Sequence, residues 1–122
     1  MRMHHFAIQV SDINKSVDFY TKILGFKIVE TDTRNDGYVY LDLNNSGVLL
    51  ELVSIDENKN IYSDQNPSPH LALESIDLDK DFQILKERGL VNFDGPYVVQ
   101  NDVKILSVFD PDNYKIDIGQ KL

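Results

Sequence analysis

Hydrophobic and polar positions alternate along this chain in a pattern that is written twice. From His5 to Val10 the alternation has the two-residue period of a β-strand. Phe6, Ile8 and Val10 fall on one face, and His5, Ala7 and Gln9 on the other. The fully apolar face predicts a helix packed over it. The other face, with a histidine, a small residue and an amide, suits the wall of a cavity. Ser11 and Asp12 are helix-start residues. Ile13, Val17, Tyr20 and Leu24 then recur at helical spacing, and Phe19 and Ile23 widen the stripe. Gly25 supplies the left-handed turn that ends the helix. Strands follow at Phe26 to Glu30, Tyr38 to Leu43 and Val48 to Val53, separated by the turn signals Asn35-Asp36-Gly37 and Asn44-Asn45-Ser46-Gly47.

The same order then returns. His70 to Glu74 reads as a strand, with Leu71 and Leu73 on one face and His70, Ala72 and Glu74 on the other. Leu78, Phe82 and Leu85 form a helical stripe that runs to Arg88 and stops at Gly89. Leu90 to Val99 is interrupted by Asp94-Gly95-Pro96. Val103 to Phe109, the turn Asp110-Pro111-Asp112-Asn113 and a strand from Tyr114 to Ile118 complete the copy. Residues 56–68 are polar, contain Pro67 and end just before Pro69, and read as a linker, with Ile61 and Tyr62 suited to a flap over a pocket. The expectation is one domain over 1–122, built from module 1 (1–55), the linker (56–68) and module 2 (69–122). Its class is α+β: two βαβββ modules with helices outside and a curved sheet within.

The repetition extends to chemistry. Asp12 lies seven residues after His5, and Asp77 seven after His70. Each copy closes on an apolar run interrupted by one carboxylate: Glu51 within Leu49-Leu50-Glu51-Leu52-Val53, and Asp117 within Tyr114-Lys115-Ile116-Asp117-Ile118. Glu51 stands 46 residues after His5, and Asp117 stands 47 after His70. A carboxylate among apolar neighbours is costly unless its face is wet or partnered. Two histidines and two carboxylates at matching places therefore predict a four-ligand metal site on a pseudo-twofold axis. The ligands are His5, Glu51, His70 and Asp117. The donor set suits a divalent ion of borderline hardness, nickel or zinc foremost, with cobalt, iron and manganese also open. Taken alone, His5 and His70 are ordinary strand residues, and Lys115 on the face of Asp117 is a ready ion-pair partner for it. Gln9 and Glu74 occupy corresponding cavity-side positions and are candidate substrate contacts. His4, on the apolar parity beside Phe6, reads as structural or frayed, and Tyr38, Tyr40 and Tyr97 read as packing residues.

The 122 residues suffice for one compact core. Net charge is −8, which argues against nucleic acid as the main partner and tolerates a cationic ligand. There is no cysteine, so thiolate ligands and disulfides are excluded, in keeping with a cytoplasmic setting. No apolar stretch reaches membrane-spanning length, and no signal peptide is expected.

On these residues the chain resembles the vicinal oxygen chelate superfamily, which includes glyoxalase I, fosfomycin and bleomycin resistance proteins, methylmalonyl-CoA epimerase and extradiol dioxygenases. The resemblance rests on His5-Phe6-Ala7-Ile8-Gln9-Val10-Ser11-Asp12, Ser16-Val17-Asp18-Phe19-Tyr20, Ile23-Leu24-Gly25-Phe26 and the closing Asp110-Pro111-Asp112-Asn113-Tyr114-Lys115-Ile116-Asp117. It implies a half-open barrel made by the two modules around a metal. It also implies a homodimer whose sites draw on both chains. The positions that match the glyoxalase I ligands are again His5, Glu51, His70 and Asp117. Two positions depart from the family pattern. The last ligand is usually glutamate, and Asp117 is one methylene shorter. Glutathione-dependent members commonly carry arginine just before the valine of the first strand, where this chain has Gln9.

The resemblance implies a metal-dependent lyase or isomerase acting on a small-molecule substrate, a thiol adduct of a 2-oxoaldehyde or a related compound with vicinal oxygens. Its route would be proton transfer through a metal-stabilised enediolate, with Asp117 or Glu51 as the catalytic base. A drug- or metabolite-binding protein of the resistance type and an epimerase of the same superfamily are the competing readings.

Overall fold

The computed structural model describes residues 1–31, 37–54 and 70–122. The expected linker, with Ile61 and Tyr62, lies outside the described residues, as do Asn35 and Asp36 of the first turn. The chain divides into two compact units, Met1–Pro67 and Ser68–Leu122. Each has one helical segment and a four-stranded mixed sheet.

In the first unit the elements are β1 (His5–Val10), α1 (Ile13–Asp18) continuing into a π-helical turn (Phe19–Ile23), β2 (Lys27–Thr31), β3 (Tyr38–Asp42) and β4 (Leu49–Ser54). Sheet order is β1-β4-β3-β2. β1 runs parallel to β4, which pairs antiparallel with β3, and β3 pairs antiparallel with β2. The period-2 pattern decides the faces. Ile8, Val10, Val39, Leu41, Leu50 and Leu52 are buried together with Phe19, Tyr20 and Leu24 of the helical segment, and α1 packs on β4. Phe6, expected under the helix with Ile8 and Val10, is instead exposed. It lies near the start of β1, where the short helix does not cover the sheet.

The second unit comprises β5 (Leu71–Glu74), α2 (Leu78–Glu87), β6 (Phe93–Val99), β7 (Val103–Phe109) and β8 (Lys115–Lys121). Its order, β5-β8-β7-β6, repeats the first. β5 is parallel to β8, and the other pairs are antiparallel. Leu106, Val108, Ile116 and Ile118 meet the buried Leu78 and Leu85 of α2, which packs on β7 and β8. The interruption at Asp94-Gly95-Pro96 does not end a strand. β6 runs through it with a register shift between Asp94 and Tyr97. A bulge absorbs the proline, whose missing N–H cannot serve the ladder.

Both helical segments begin and end in the same way. Asp12 and Asp77, in extended conformation, accept a hydrogen bond from the backbone N–H of Lys15 and Lys80 respectively. At the other end Gly25 and Gly89 adopt φ of 89° and 105°, the left-handed region that costs glycine little. The next residue then turns back, with Phe26 N–H donating to the Tyr20 carbonyl and Leu90 N–H to that of Leu85.

Candidate metal centre

The sheet face turned away from the helix carries the same arrangement in both units. On β4, Glu51 has Ala7 of β1 as its neighbour on the parallel side and Tyr40 of β3 on the antiparallel side. On β8, Asp117 has Ala72 of β5 and Ser107 of β7 in the same relation. His5 and His70 each lie two residues before that alanine, so strand alternation puts each histidine on the carboxylate's face. The small alanine leaves room for the imidazole to lean across.

The distances follow. His5 Nε2 lies 3.7 Å from Glu51 Oε2, and His70 Nε2 lies 3.9 Å from Asp117 Oδ2. Both separations are too long for a hydrogen bond. Ligands about 2.1 Å from a shared ion stand roughly 3–3.5 Å apart, so each pair is within a few tenths of an ångström of clasping one. The carboxylates are the sheltered members, with side chains 15% exposed for Glu51 and 24% for Asp117. The imidazoles are more open, at 36% and 55%. Imidazole nitrogen and carboxylate oxygen are the donor chemistry a borderline divalent ion takes, so the residues fit such a group. Within each unit the histidine and its carboxylate form a pair. Among the described residues no group of three or more histidine, aspartate or glutamate side chains gathers into a metal-holding cluster.

Of the neighbours of these pairs, Tyr40 and Ser107 were not singled out by the sequence as partners of the carboxylates. Tyr40 donates its hydroxyl to Glu51, which, followed by burial and the carboxylate's charge, pushes the phenol up to about 12. The same ring stands edge-on to His5, with centroids 5.2 Å apart. Ser107 Oγ donates to Asp117 Oδ1 at 2.6 Å. Lys115 Nζ lies 3.4 Å from Asp117 Oδ2, so the ion pair expected from their shared face is present. His4 Nδ1 is 2.8 Å from His5 Nδ1. One ring must donate there and the other accept, which leaves Nε2 of His5 turned to Glu51.

Gln9 is half-buried and Glu74 exposed, both on the site-bearing face of their strands. Gly119 is the register partner of Glu74. A Cβ there would meet nothing within 4 Å among the described residues.

Comparisons with known proteins place the chain in a family. The family model described as "Glyoxalase/Bleomycin resistance protein/Dioxygenase superfamily" matches residues 2–118. A lactoylglutathione lyase of Escherichia coli O157:H7 is 33% identical over 125 residues, covering 97% of this chain and 91% of its own. One from Neisseria meningitidis serogroup A is 31% identical over 129 residues, covering 99% and 91%. Among solved structures, TnmS3, an antibiotic binding protein from Streptomyces sp. CB03234, superposes with a TM-score of 0.79 at 26% identity, covering 100% of this chain and 97% of its own. With a family match that spans both units, this chain belongs to the glyoxalase/bleomycin resistance protein/dioxygenase superfamily.

Proposed function

We propose that the protein is a metal-dependent, glyoxalase I-like lyase or isomerase acting on a thiol adduct of a 2-oxoaldehyde or a related compound with two neighbouring oxygens. The observation that carries this reading is the histidine–carboxylate pair repeated at the same register in both sheets. Relatives named lactoylglutathione lyase add to it.

His5, Glu51, His70 and Asp117 would hold the ion, each pair supplying half of the ligand set. A bound divalent ion supplies Lewis-acid polarisation of the substrate's two oxygens and so makes the adjacent carbon-bound proton acidic. One of the carboxylates accepts that proton and returns it to the neighbouring carbon. Glu51 has the longer reach. Asp117 is held at Oδ1 by Ser107 and at Oδ2 by Lys115, and is one methylene shorter. Gln9 and Glu74 line the substrate end of the same faces. Gln9 stands where glutathione-dependent members commonly have arginine, so the thiol is left open. Residues 56–68 join modules 1–55 and 69–122 into a single working domain, and the active species is a cytoplasmic homodimer whose sites are shared between chains.

Protein purified without chelators is expected to carry nickel, zinc or a similar ion by elemental analysis, and to form a thioester from methylglyoxal and one of a panel of thiols. His5→Ala and Glu51→Ala should each lose the ion and the activity together. Protein that comes out metal-free and takes up no added nickel or zinc would sink the proposal. That result would favour the second reading, a binding protein of the resistance type, which the likeness to TnmS3 supports. Equilibrium dialysis against cationic drugs would then be the direct assay, since the net charge of −8 suits a cation.

A further inference from the structure

We propose that Tyr40 and Ser107 are matched positioning residues, one in each unit, whose hydroxyls fix the carboxylates of Glu51 and Asp117 for metal binding. The inference rests on the metal-centre reading above and goes beyond it, because neither residue is among the four ligands.

The register carries the argument. Tyr40 is the cross-strand partner of Glu51, and Ser107 is the cross-strand partner of Asp117. Both hydroxyls therefore reach their carboxylate from the same side, the strand opposite the one that brings the histidine. Each carboxylate stands between a hydroxyl on one side and an imidazole on the other. In the second unit Ser107 takes one oxygen, and the other faces both His70 and Lys115, whose Nζ lies 3.4 Å away. Oδ1 accepts from Ser107 at 2.6 Å, and Oδ2 is the atom turned to His70. In the first unit Tyr40 donates to Glu51, whose Oε2 faces His5. A hydrogen bond to one side of a ligating carboxylate lowers the entropy lost when its other oxygen is fixed on an ion, and it selects the rotamer that points there.

The two residues differ in one respect. Tyr40 also touches the histidine, its ring edge-on to His5 at 5.2 Å, so it braces both members of its pair. Ser107 is too short to do more than hold the carboxylate, and His70 is correspondingly the more exposed imidazole. Removing the Tyr40 hydroxyl alone and removing the whole ring should therefore have separable effects.

The test is nickel affinity of the purified full-length chain, measured by competition with a chromophoric chelator, alongside the melting temperature of the metal-free protein. Tyr40→Phe and Ser107→Ala are each expected to weaken nickel binding roughly tenfold to a hundredfold, with the metal-free protein still folded and melting cooperatively at a modestly lower temperature. Tyr40→Leu should weaken it further than Tyr40→Phe, and Ser107→Thr, which keeps a hydroxyl, should restore most of the loss. Wild-type affinity in both Tyr40→Phe and Ser107→Ala would overturn the inference while leaving the metal centre standing. So would a Ser107→Thr variant as weak as Ser107→Ala. A wild-type protein that binds no nickel would remove the metal centre and this inference with it.

Discussion

At the residue scale, what was legible was charge in an apolar setting. Glu51 between Leu50 and Leu52, and Asp117 between Ile116 and Ile118, are conspicuous because burying a carboxylate is expensive. The hydroxyls that support them were not legible. A tyrosine or a serine on a half-buried strand is ordinary, and only the register between strands reveals what it faces. Tyr40 was expected to be packing and instead bonds Glu51. Tyr97 was grouped with it and is exposed, its hydroxyl donating to Asp94 at 2.7 Å. That hydrogen bond, with the nearby carboxylate charge, raises the Tyr97 phenol above its ordinary value of 10. The folded protein thus holds this proton to higher pH than the unfolded chain. The contribution to stability is full below pH 10 and fades as pH climbs through the raised value. Urea unfolding across the alkaline range should show the wild type ahead of Tyr97→Phe at neutral pH, with the gap closing above the ordinary tyrosine range. A gap that widens there would contradict the assignment.

At the scale of elements, the order strand, helix, three strands could be read twice from the periodicities, and its limits were off by a residue or a few. Pairing could not be read. Nothing in the alternation of β1 says that it lies parallel to β4, yet that pairing carries His5 across 46 residues to Glu51. A helix between two parallel strands is the expected connection for such a step, and it recurs between β5 and β8. The π-helical turn at Phe19–Ile23 was also invisible, because its apolar stripe matches that of an ordinary helix. Helix starts were the most readable feature. Asp12 caps as expected, and Asp77, at the matching place in the second unit, does the same. Asp12→Ala and Asp77→Ala should each lower unfolding free energy by about 1 kcal/mol in chemical denaturation. α2 also has its first N–H bonded to Gln120 Oε1 of β8 at 2.8 Å. Loss of the Asp77 cap should therefore leave α2 anchored to the sheet, and the far-ultraviolet circular dichroism of the native state unchanged.

At the scale of the whole molecule, duplication supplies each unit with one histidine, one carboxylate and one hydroxyl brace, which is half of what a divalent ion ordinarily takes from a protein. If the two pairs together hold one ion, as proposed, a homodimer that shares its sites would offer module 1 of one protomer to module 2 of the other. This arrangement has a signature that a site within one chain lacks. One variant carries His5→Ala with Glu51→Ala, and the other carries His70→Ala with Asp117→Ala. Each should be metal-free and inactive by itself. After unfolding together and refolding at equal concentrations, a mixed dimer places the two intact modules in one shared site and the two damaged ones in the other. With random pairing, about a quarter of the wild-type metal content and activity should return. If each chain builds its own site, every chain in the mixture still lacks half of the ligands and nothing returns. Recovery near a quarter, scaling with the product of the two mole fractions when the ratio is varied at fixed total concentration, would establish sharing. Its absence, with mixed dimers demonstrated by mass, would place the full ligand set within a single chain.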